Sequence, residues 1–172
     1  LDMHYEGQLE YKQRLEQKLL GRFASIEPII GMYYPYHYRN KVQAAFGYDR
    51  RDGKIISGVY QSNSHRIVSV DSCLIEDKKS DAIIVTIRRL MKDFKIMPYD
   101  EDAGTGILRH VLVKRGFKTN QIMVVLVTST PIFPAKNNFV KALLKEHPEI
   151  TTIIHNINPS FLQAVFWHPL PF

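Results

Sequence analysis

The single cysteine, Cys73, is the residue of this chain whose chemistry is scarcest. One cysteine cannot form an internal disulfide, and its presence without a partner fits a reducing compartment, which we expect to be the cytoplasm. It also cannot hold a zinc ion or an iron–sulfur cluster unless other ligands come from elsewhere. Taken alone, it is more typical of a small buried side chain than of a metal ligand.

The other potentially reactive side chains show no spacing that selects a catalytic site. The seven histidines are scattered without metal-ligand spacing, and His110 and His155 fall within strand patterns that favour a structural role. The acidic run 100–102 is expected to lie in a solvated loop rather than a metal site. A phosphate-binding glycine loop of the Walker type and a dinucleotide fingerprint are both missing from the sequence. The chain therefore predicts no self-contained active site.

Positive charge is the second chemical signal. The formal net charge is +6, and the cations concentrate in predicted strands that also carry several tyrosines. Arginine and lysine neutralise phosphates, and aromatic rings can stack on unpaired bases, so this pattern favours RNA as a partner. An ordinary charged outer face of a sheet is the alternative. The predicted RNA contacts, chosen from their positions on alternating strands, are Arg39, Lys41, Arg109, Lys114 and Arg115.

Hydrophobic periodicity predicts the helices that position these residues. Helices are predicted at residues 6–23, 80–94 and 135–146. The first has apolar residues on one side and charged residues on the other. Ser80 is expected to cap the second helix.

Strands are predicted between and after these helices. Alternation after residue 41 predicts a three-stranded antiparallel meander, whose first turn contains Asp52-Gly53 because glycine accepts a positive φ. Further strands are predicted at residues 108–117, 122–128 and 151–157. The order predicts an α+β fold, an antiparallel meander plus a β-hairpin/α/β unit with three helices, and no complete Rossmann cofactor domain.

The ends of the chain are assigned separately. Residues 1–159 are predicted to be one domain, and residues 160–172 form an atypical apolar tail. No apolar run approaches the ~20 residues that a membrane span requires, so we expect no membrane partner. The first residues lack the pattern of a secretory signal.

Four stretches, in this order and spacing, resemble the bacterial RNA (uracil-5-)-methyltransferases, and the large-subunit ribosomal RNA branch is the more similar. These are YEGQLEYKQ (5–13), YYPYHYRNKVQ (33–43), SHRIVSVDSCLIED (64–77) and IIHNINP (153–159). The resemblance covers residues 1–159 and implies that the chain is the RNA-contacting, cluster-adjacent central domain of such an enzyme. The family's N-terminal β-barrel domain and C-terminal S-adenosylmethionine domain would lie outside it.

The resemblance also implies roles for the chemical signals above. Cys73 matches the fourth cysteine ligand of the family's iron–sulfur cluster, the one distant in sequence from the other three. No catalytic or S-adenosylmethionine-binding residue is carried over, so the chain alone is expected to be inactive. It would contribute RNA binding and one cluster ligand to an enzyme that forms 5-methyluridine, in ribosomal rather than transfer RNA. The alternative is a stand-alone RNA-binding module without catalytic activity.

Overall fold

The computed structural model describes residues 3–159, which form two compact units, residues 3–36 and 37–159. Within these residues the elements are α1 (Tyr5–Leu20), β1 (Lys41–Asp49), β2 (Lys54–Tyr60), β3 (Ile67–Ser69), α2 (Lys78–Asp93), β4 (Leu108–Arg115), β5 (Ile122–Thr128), α3 (Lys136–Glu146) and β6 (Ile150–Ile157). This order confirms the predicted α+β fold. None of the helices described is long and apolar enough to cross a membrane. The predicted apolar tail, 160–172, lies outside the described residues.

The first unit consists of α1 and a segment that returns along it. The side chain of Gln13 accepts a hydrogen bond from the backbone of Ile29, and the hydroxyl of Tyr5 accepts one from the backbone of Met32 at 2.6 Å. The helix ends at Leu20, three residues earlier than predicted. It buries none of its residues.

The second unit is built on one six-stranded sheet with the strand order β3-β2-β1-β4-β5-β6. All neighbouring strands are antiparallel except β5 and β6, which are parallel and joined through α3. Gly53 in the first turn has φ +65, as its predicted place in a hairpin requires. The predicted meander and the β4–β5 hairpin are thus fused into one sheet by pairing of β1 with β4.

The hydrophobic core lies between one face of this sheet and the helices α2 and α3. Its fully buried side chains include Phe46, Ile83, Ile87, Val111, Val113, Val124, Phe139 and Leu143. Because side chains alternate along a strand, the residues between these point to the opposite side of the sheet, here named the outer face. Register places Lys41, Gln43, Leu112, Lys114, Met123 and Val125 on the outer face.

The second helix begins earlier than the sequence predicts. Its N-cap is Asp77, whose carboxylate accepts a hydrogen bond from the backbone of Ser80 at 3.1 Å. Aspartate and serine are both good N-caps, and the sequence offers both within four residues. The prediction that Ser80 caps the helix is therefore wrong, and Asp77 is the N-cap. The second oxygen of the Asp77 carboxylate binds Arg115.

Candidate nucleic-acid interface

Two of the predicted RNA contacts, Lys41 and Lys114, meet on the outer face. They are partners in the antiparallel ladder between β1 and β4, and both are exposed. Directly opposite side chains in such a ladder lie roughly 5 Å apart at Cβ, and like charges in this arrangement repel. The pair therefore creates a local positive potential that a bound anion would relieve.

Arg39 lies just before β1, in a short segment that pairs with the residues preceding α2. Its backbone N–H donates to Ile75 at 2.9 Å, and its carbonyl accepts from Asp77 at 3.1 Å. Its guanidinium is 53% exposed and lies 3.7 Å from the carboxylate of Glu76. Glu76 is only 14% exposed, but at 3.7 Å the contact is too long for a hydrogen bond, and the exposed guanidinium group can still bind a phosphate.

Arg109, predicted to face outward from its strand, is instead buried. Its side chain is 1% exposed, and Nε and Nη2 donate to the carboxylate of Glu101 at 3.0 and 2.6 Å. Nη1 donates to the carbonyl of Asn158 at 2.9 Å, and the guanidinium lies 4.7 Å from the ring centroid of Tyr99. These contacts hold the loop before β4 and the end of β6 together, which corrects the expectation of an accessible cation.

The physical reason for this correction is the loop before β4, which covers the start of the strand at a point where the strand is also irregular. The register of β4 against β5 shifts between Leu108 and His110, so Arg109 occupies a β-bulge. A bulge adds an unpaired residue to one strand and re-aims its side chain. Position on the strand alone therefore does not decide whether Arg109 is accessible, since Glu101 of the loop before β4 covers its guanidinium group.

Arg115, at the far end of β4, is also engaged by a carboxylate. Its Nη1 donates to Asp77 at 2.6 Å, and its Nη2 donates to Asn120 at 2.9 Å. The side chains of Arg115 and Asp77 are only 19% and 4% exposed. This pair fastens β4 to the N-cap of α2, so the expected outward position of Arg115 is corrected as well.

Of the two histidines expected to be structural, His110 is buried and His155 is half-buried. His110 is 5% exposed, and its Nδ1 has no hydrogen-bond partner within residues 3–159. Burial, and then the charge of Arg109, lower the pKa of His110 to about 4, so its ring is neutral at physiological pH. Nε2 of His155 lies 2.7 Å from the hydroxyl of Thr128. Both placements agree with a structural role.

Cys73 is a half-buried free thiol in the loop before α2. Its backbone N–H donates to the carboxylate of Asp81 at 2.9 Å, and it lines a small cleft of about 210 Å³ together with Glu76. Burial raises the pKa of both Glu76 and Asp81, and the nearby charge of Asp81 raises that of Glu76 further. The thiol is accessible enough to serve as one ligand.

A complete metal centre does not fit the residues present. A four-iron cluster takes four cysteine ligands, and this chain contains one cysteine. Within residues 3–159 no group of three or more histidine, cysteine, aspartate or glutamate side chains could hold a metal ion. The assignment of Cys73 as a cluster ligand thus stays a prediction that depends on ligands from elsewhere.

The acidic run 100–102 is solvated as predicted at Asp100 and Asp102, whose side chains are 40% and 79% exposed, but not at Glu101. The backbone N–H of Tyr99 donates to Leu108, and that of Ile107 donates to Met97, so the loop folds back beside β4. The carboxylate of Glu101 is 4% exposed in its pair with Arg109. The loop therefore belongs to the packed structure of the second unit.

This folded loop forms one wall of a cleft that the sequence analysis does not identify. The cleft has a volume of about 790 Å³ and also uses the β1–β2 hairpin and the residues at the start of β3. Within it, Nδ1 of His65 lies 2.6 Å from Asp102, and the ring of Tyr60 lies 6.1 Å from that of His65. Burial, and then the charge of Glu101, raise the pKa of Tyr60 to about 12. No local sequence signal brings these distant segments together.

Similarity to known proteins covers nearly the whole chain. No family model matches it. An uncharacterized RNA methyltransferase of Halalkalibacterium halodurans is 38% identical over 169 residues, which are 95% of this chain and 36% of that protein. Another, of Clostridium acetobutylicum, is 40% identical over 163 residues, with 91% and 35% covered. The chain spans about a third of the length of these relatives.

A solved structure shares the fold. The Pyrococcus abyssi tRNA (uracil-54, C5)-methyltransferase, in complex with S-adenosyl-L-homocysteine, superimposes with a TM-score of 0.70 at 23% sequence identity. The match covers 92% of this chain and 35% of that one. At this identity the likeness shows that the two share a fold.

Proposed function

We propose that this chain, whose motifs resemble the RNA (uracil-5-)-methyltransferases and whose relatives are RNA methyltransferases, is the RNA-contacting central domain of an enzyme that forms 5-methyluridine. In this proposal the domain spans residues 1–159. It supplies RNA contacts and one iron–sulfur ligand, and the reaction takes place on parts of the enzyme outside it. The proposal places the enzyme in the cytoplasm.

One observation carries the proposal: 95% of the chain matches a contiguous third of an RNA methyltransferase. A segment of that length contains an ordered fold of its own, yet it leaves two thirds of each relative unaccounted for. The reaction needs a methyl donor, which we propose is S-adenosylmethionine. The P. abyssi structure, whose fold is shared, holds the demethylated product S-adenosyl-L-homocysteine. We assign no residue of this chain to that cofactor.

The RNA contacts in this proposal are Arg39, Lys41 and Lys114. Lys41 and Lys114 are exposed and directly opposite each other, and the exposed guanidinium group of Arg39 lies 3.7 Å from Glu76. Phosphate neutralisation by such cations supplies affinity that is largely independent of sequence. Arg109 and Arg115 are not carried forward, because their guanidinium groups are committed to carboxylates inside the domain.

A tritium-release assay on the full-length protein tests the reaction. RNA labelled at C5 of uridine should lose tritium in proportion to the methyl groups gained from S-adenosylmethionine, because methylation at C5 displaces that hydrogen. The 172-residue chain alone should release none. Methyl transfer without tritium release would contradict uracil C5 as the target, and release by the isolated chain would contradict its role as an incomplete segment.

The same assay separates the two RNA classes. We propose large-subunit ribosomal RNA as the substrate, following the sequence resemblance, whereas the solved structural neighbour acts on transfer RNA. Both RNAs, transcribed without modifications, should be offered at equal uridine concentration. Label in ribosomal RNA alone supports the proposal, and label in transfer RNA alone contradicts the choice of substrate while leaving the reaction class intact.

The role of Cys73 is tested by metal content rather than activity. In the full-length protein, purified without oxygen, Cys73→Ser should lower iron and acid-labile sulfide and abolish the visible absorbance of a cluster. Ser72→Ala, at the neighbouring position, is the matched control and should retain both. Unchanged iron in Cys73→Ser would show that the thiol is not a ligand.

A further inference from the structure

We propose that the first unit, residues 3–36, is a docking element, and that an apolar stripe on α1 is covered by a part of the full-length enzyme that lies outside this chain. The stripe consists of Tyr11, Leu15 and Leu19. The inference rests on one part of the proposed function, namely that the chain is a segment of a longer RNA methyltransferase. It adds an interface within that enzyme, which uses residues other than the RNA contacts proposed above.

The first unit has no core of its own, since none of residues 3–36 is buried. The unit also contains no cysteine. Chains below about 40 residues usually need disulfides, metals or a partner in order to fold. A helix within a protein takes most of its stability from tertiary packing rather than from its own propensity. The fold of this unit therefore depends on contacts from outside it.

One side of α1 is already occupied by the segment that returns along it. Tyr5, Leu9 and Gln13 lie on this side and are half-buried. The hydroxyl of Tyr5 accepts a hydrogen bond from the backbone of Met32 at 2.6 Å. The side chain of Leu9 packs so closely on Gly31 that a Cβ added there would lie 2.8 Å from Cδ1. The return segment therefore covers this side and leaves the stripe to another partner.

The stripe itself is apolar and exposed along its whole length. Tyr11, Leu15 and Leu19 follow one another at intervals of four residues, so they lie on one side of the helix. Their exposed fractions are 55%, 40% and 55%, and that of Phe23, just beyond the end of the helix, is 70%. Apolar anchors spaced about one turn apart are the pattern by which a helix occupies a hydrophobic groove of its partner.

The side chains of the stripe favour a protein partner over RNA. Leucine side chains offer no hydrogen bonds and no aromatic face, whereas unpaired RNA is bound through aromatic rings and cations. Lys12 and Lys18 are exposed and border the stripe on opposite sides, because each residue turns a helix by about 100°. We therefore expect a groove with an apolar floor and carboxylates along its rim.

The length of the relatives indicates where this groove lies. The chain spans 36% of the H. halodurans protein and 35% of the C. acetobutylicum protein, so nearly two thirds of such an enzyme is left to supply the partner. A domain on the same polypeptide meets the stripe at an effective concentration of roughly millimolar. An interface of modest size is then enough to keep the stripe covered.

Hydrogen exchange followed by mass spectrometry tests the docking in two proteins, the full-length protein and the 172-residue chain. The backbone amides of α1 should exchange at least about tenfold more slowly in the full-length protein, because docking suppresses local opening of the helix. The amides of β5, which has a neighbouring strand on each side, should exchange slowly in both proteins. They report that the second unit is folded in every sample.

A double variant removes the anchors while keeping the helix. Leu15→Gln/Leu19→Gln in the full-length protein should raise the exchange rate of α1 to that of the 172-residue chain, since glutamine and leucine have similar helix propensities. Glu10→Gln/Arg14→Gln is the matched control, because it introduces two glutamines at the same spacing on another side of α1 and leaves the net charge unchanged. This control should keep the slow exchange.

Equal exchange of α1 in the two proteins would overturn the inference. Fast exchange in both would show that the stripe stays uncovered, and slow exchange in both would assign its partner to this chain or to a second copy of it. Slow exchange of α1 produced by adding RNA to the 172-residue chain would also overturn it, in favour of RNA.

The same measurements separate the docking from the proposed function. If the full-length protein methylates uridine while α1 exchanges fast, the proposed function stands and the docking fails. If α1 exchanges slowly in a full-length protein that transfers no methyl group to RNA, the docking stands and the proposed function fails.

Discussion

The two ends of β4 carry the same kind of side chain in opposite environments. At its start, Arg109 is 1% exposed and bound to Glu101 beneath a folded loop. Five residues later, Lys114 is exposed and opposite another lysine. Sequence composition counts both as positive charge. The carboxylate that pairs with Arg109 is itself 4% exposed.

This difference shows how a cation's partner decides its use. A buried guanidinium must be paired, because an unpaired charge in the interior is very unfavourable. The ammonium group of an exposed lysine is hydrated, and it can give up water and counterions to a phosphate. The first end of β4 therefore maintains the structure, and the second can contribute to binding.

Removing the partner of the buried cation should have the largest effect. Glu101→Ala leaves the guanidinium of Arg109 buried without its carboxylate, which should lower the free energy of unfolding by about 3–5 kcal/mol. Asp52→Ala breaks the exposed pair with Lys54 and should cost less than about 1 kcal/mol. Urea unfolding followed by circular dichroism measures both.

A double variant makes this test sharper. Replacing both partners, as in Glu101→Ala/Arg109→Met, removes the unpaired charge and should recover part of the lost stability. If Glu101→Ala lowers the free energy of unfolding no more than Asp52→Ala does, the buried ion pair is not what distinguishes this end of β4. Recovery of stability in the double variant would show that the loss in Glu101→Ala comes from an unpaired buried charge, because a general loss of packing would not be reversed.

An intermediate effect is expected from His110, which shares the buried end. Its folded pKa is about 4, below the ordinary 6.5, so the unfolded chain takes up a proton first as the pH falls. Stability should therefore decline between about pH 6.5 and pH 4, by roughly 2–3 kcal/mol from this residue. His110→Phe cannot ionise and should lose less stability than the unmodified protein over that interval. Equal declines in urea titrations at pH 7 and 4.5 would show that the histidine is not buried neutral.

The smallest effect on stability should come from the exposed end. Lys41→Glu replaces a repulsive pair with an attractive one across the ladder, which should raise stability by a few tenths of a kcal/mol. The same change should weaken RNA binding and reduce its salt dependence, because a phosphate contact becomes a repulsion. Lys41→Gln provides the uncharged control. Tighter RNA binding by Lys41→Glu would contradict the assignment of this pair to phosphate.

Local patterns in the sequence predict most of the fold. The predicted bounds of β5 coincide with those observed, and its unbroken apolar run is buried along nearly its whole length. The turn at Gly53 follows from one local requirement, a positive φ. In each case the determining interactions lie within a few residues or within one periodic segment.

The site is less predictable because its partners are distant in sequence or depend on an irregularity. Arg115 meets a carboxylate 38 residues away, at the N-cap of α2. Arg109 lies at a bulge and is covered by the loop that carries Glu101, and strand alternation anticipates neither. Lys41 and Lys114 were correctly expected to be exposed, but nothing local predicts that they face each other across the β1–β4 ladder.

That ladder divides the assembly of the sheet into two stages. Every other pair of neighbouring strands joins consecutive elements or the two ends of one crossover, whereas β1 and β4 are separated by β2, β3 and α2. Pairing β1 with β4 closes the longest loop in the sheet. It therefore has the largest entropic cost of loop closure and should be a slow step in folding. During synthesis from the amino end, one side of β1 stays unpaired until residue 115 has been added. In that interval β1 presents an open strand edge of the kind at which chains associate. Pairing with β4 removes this edge.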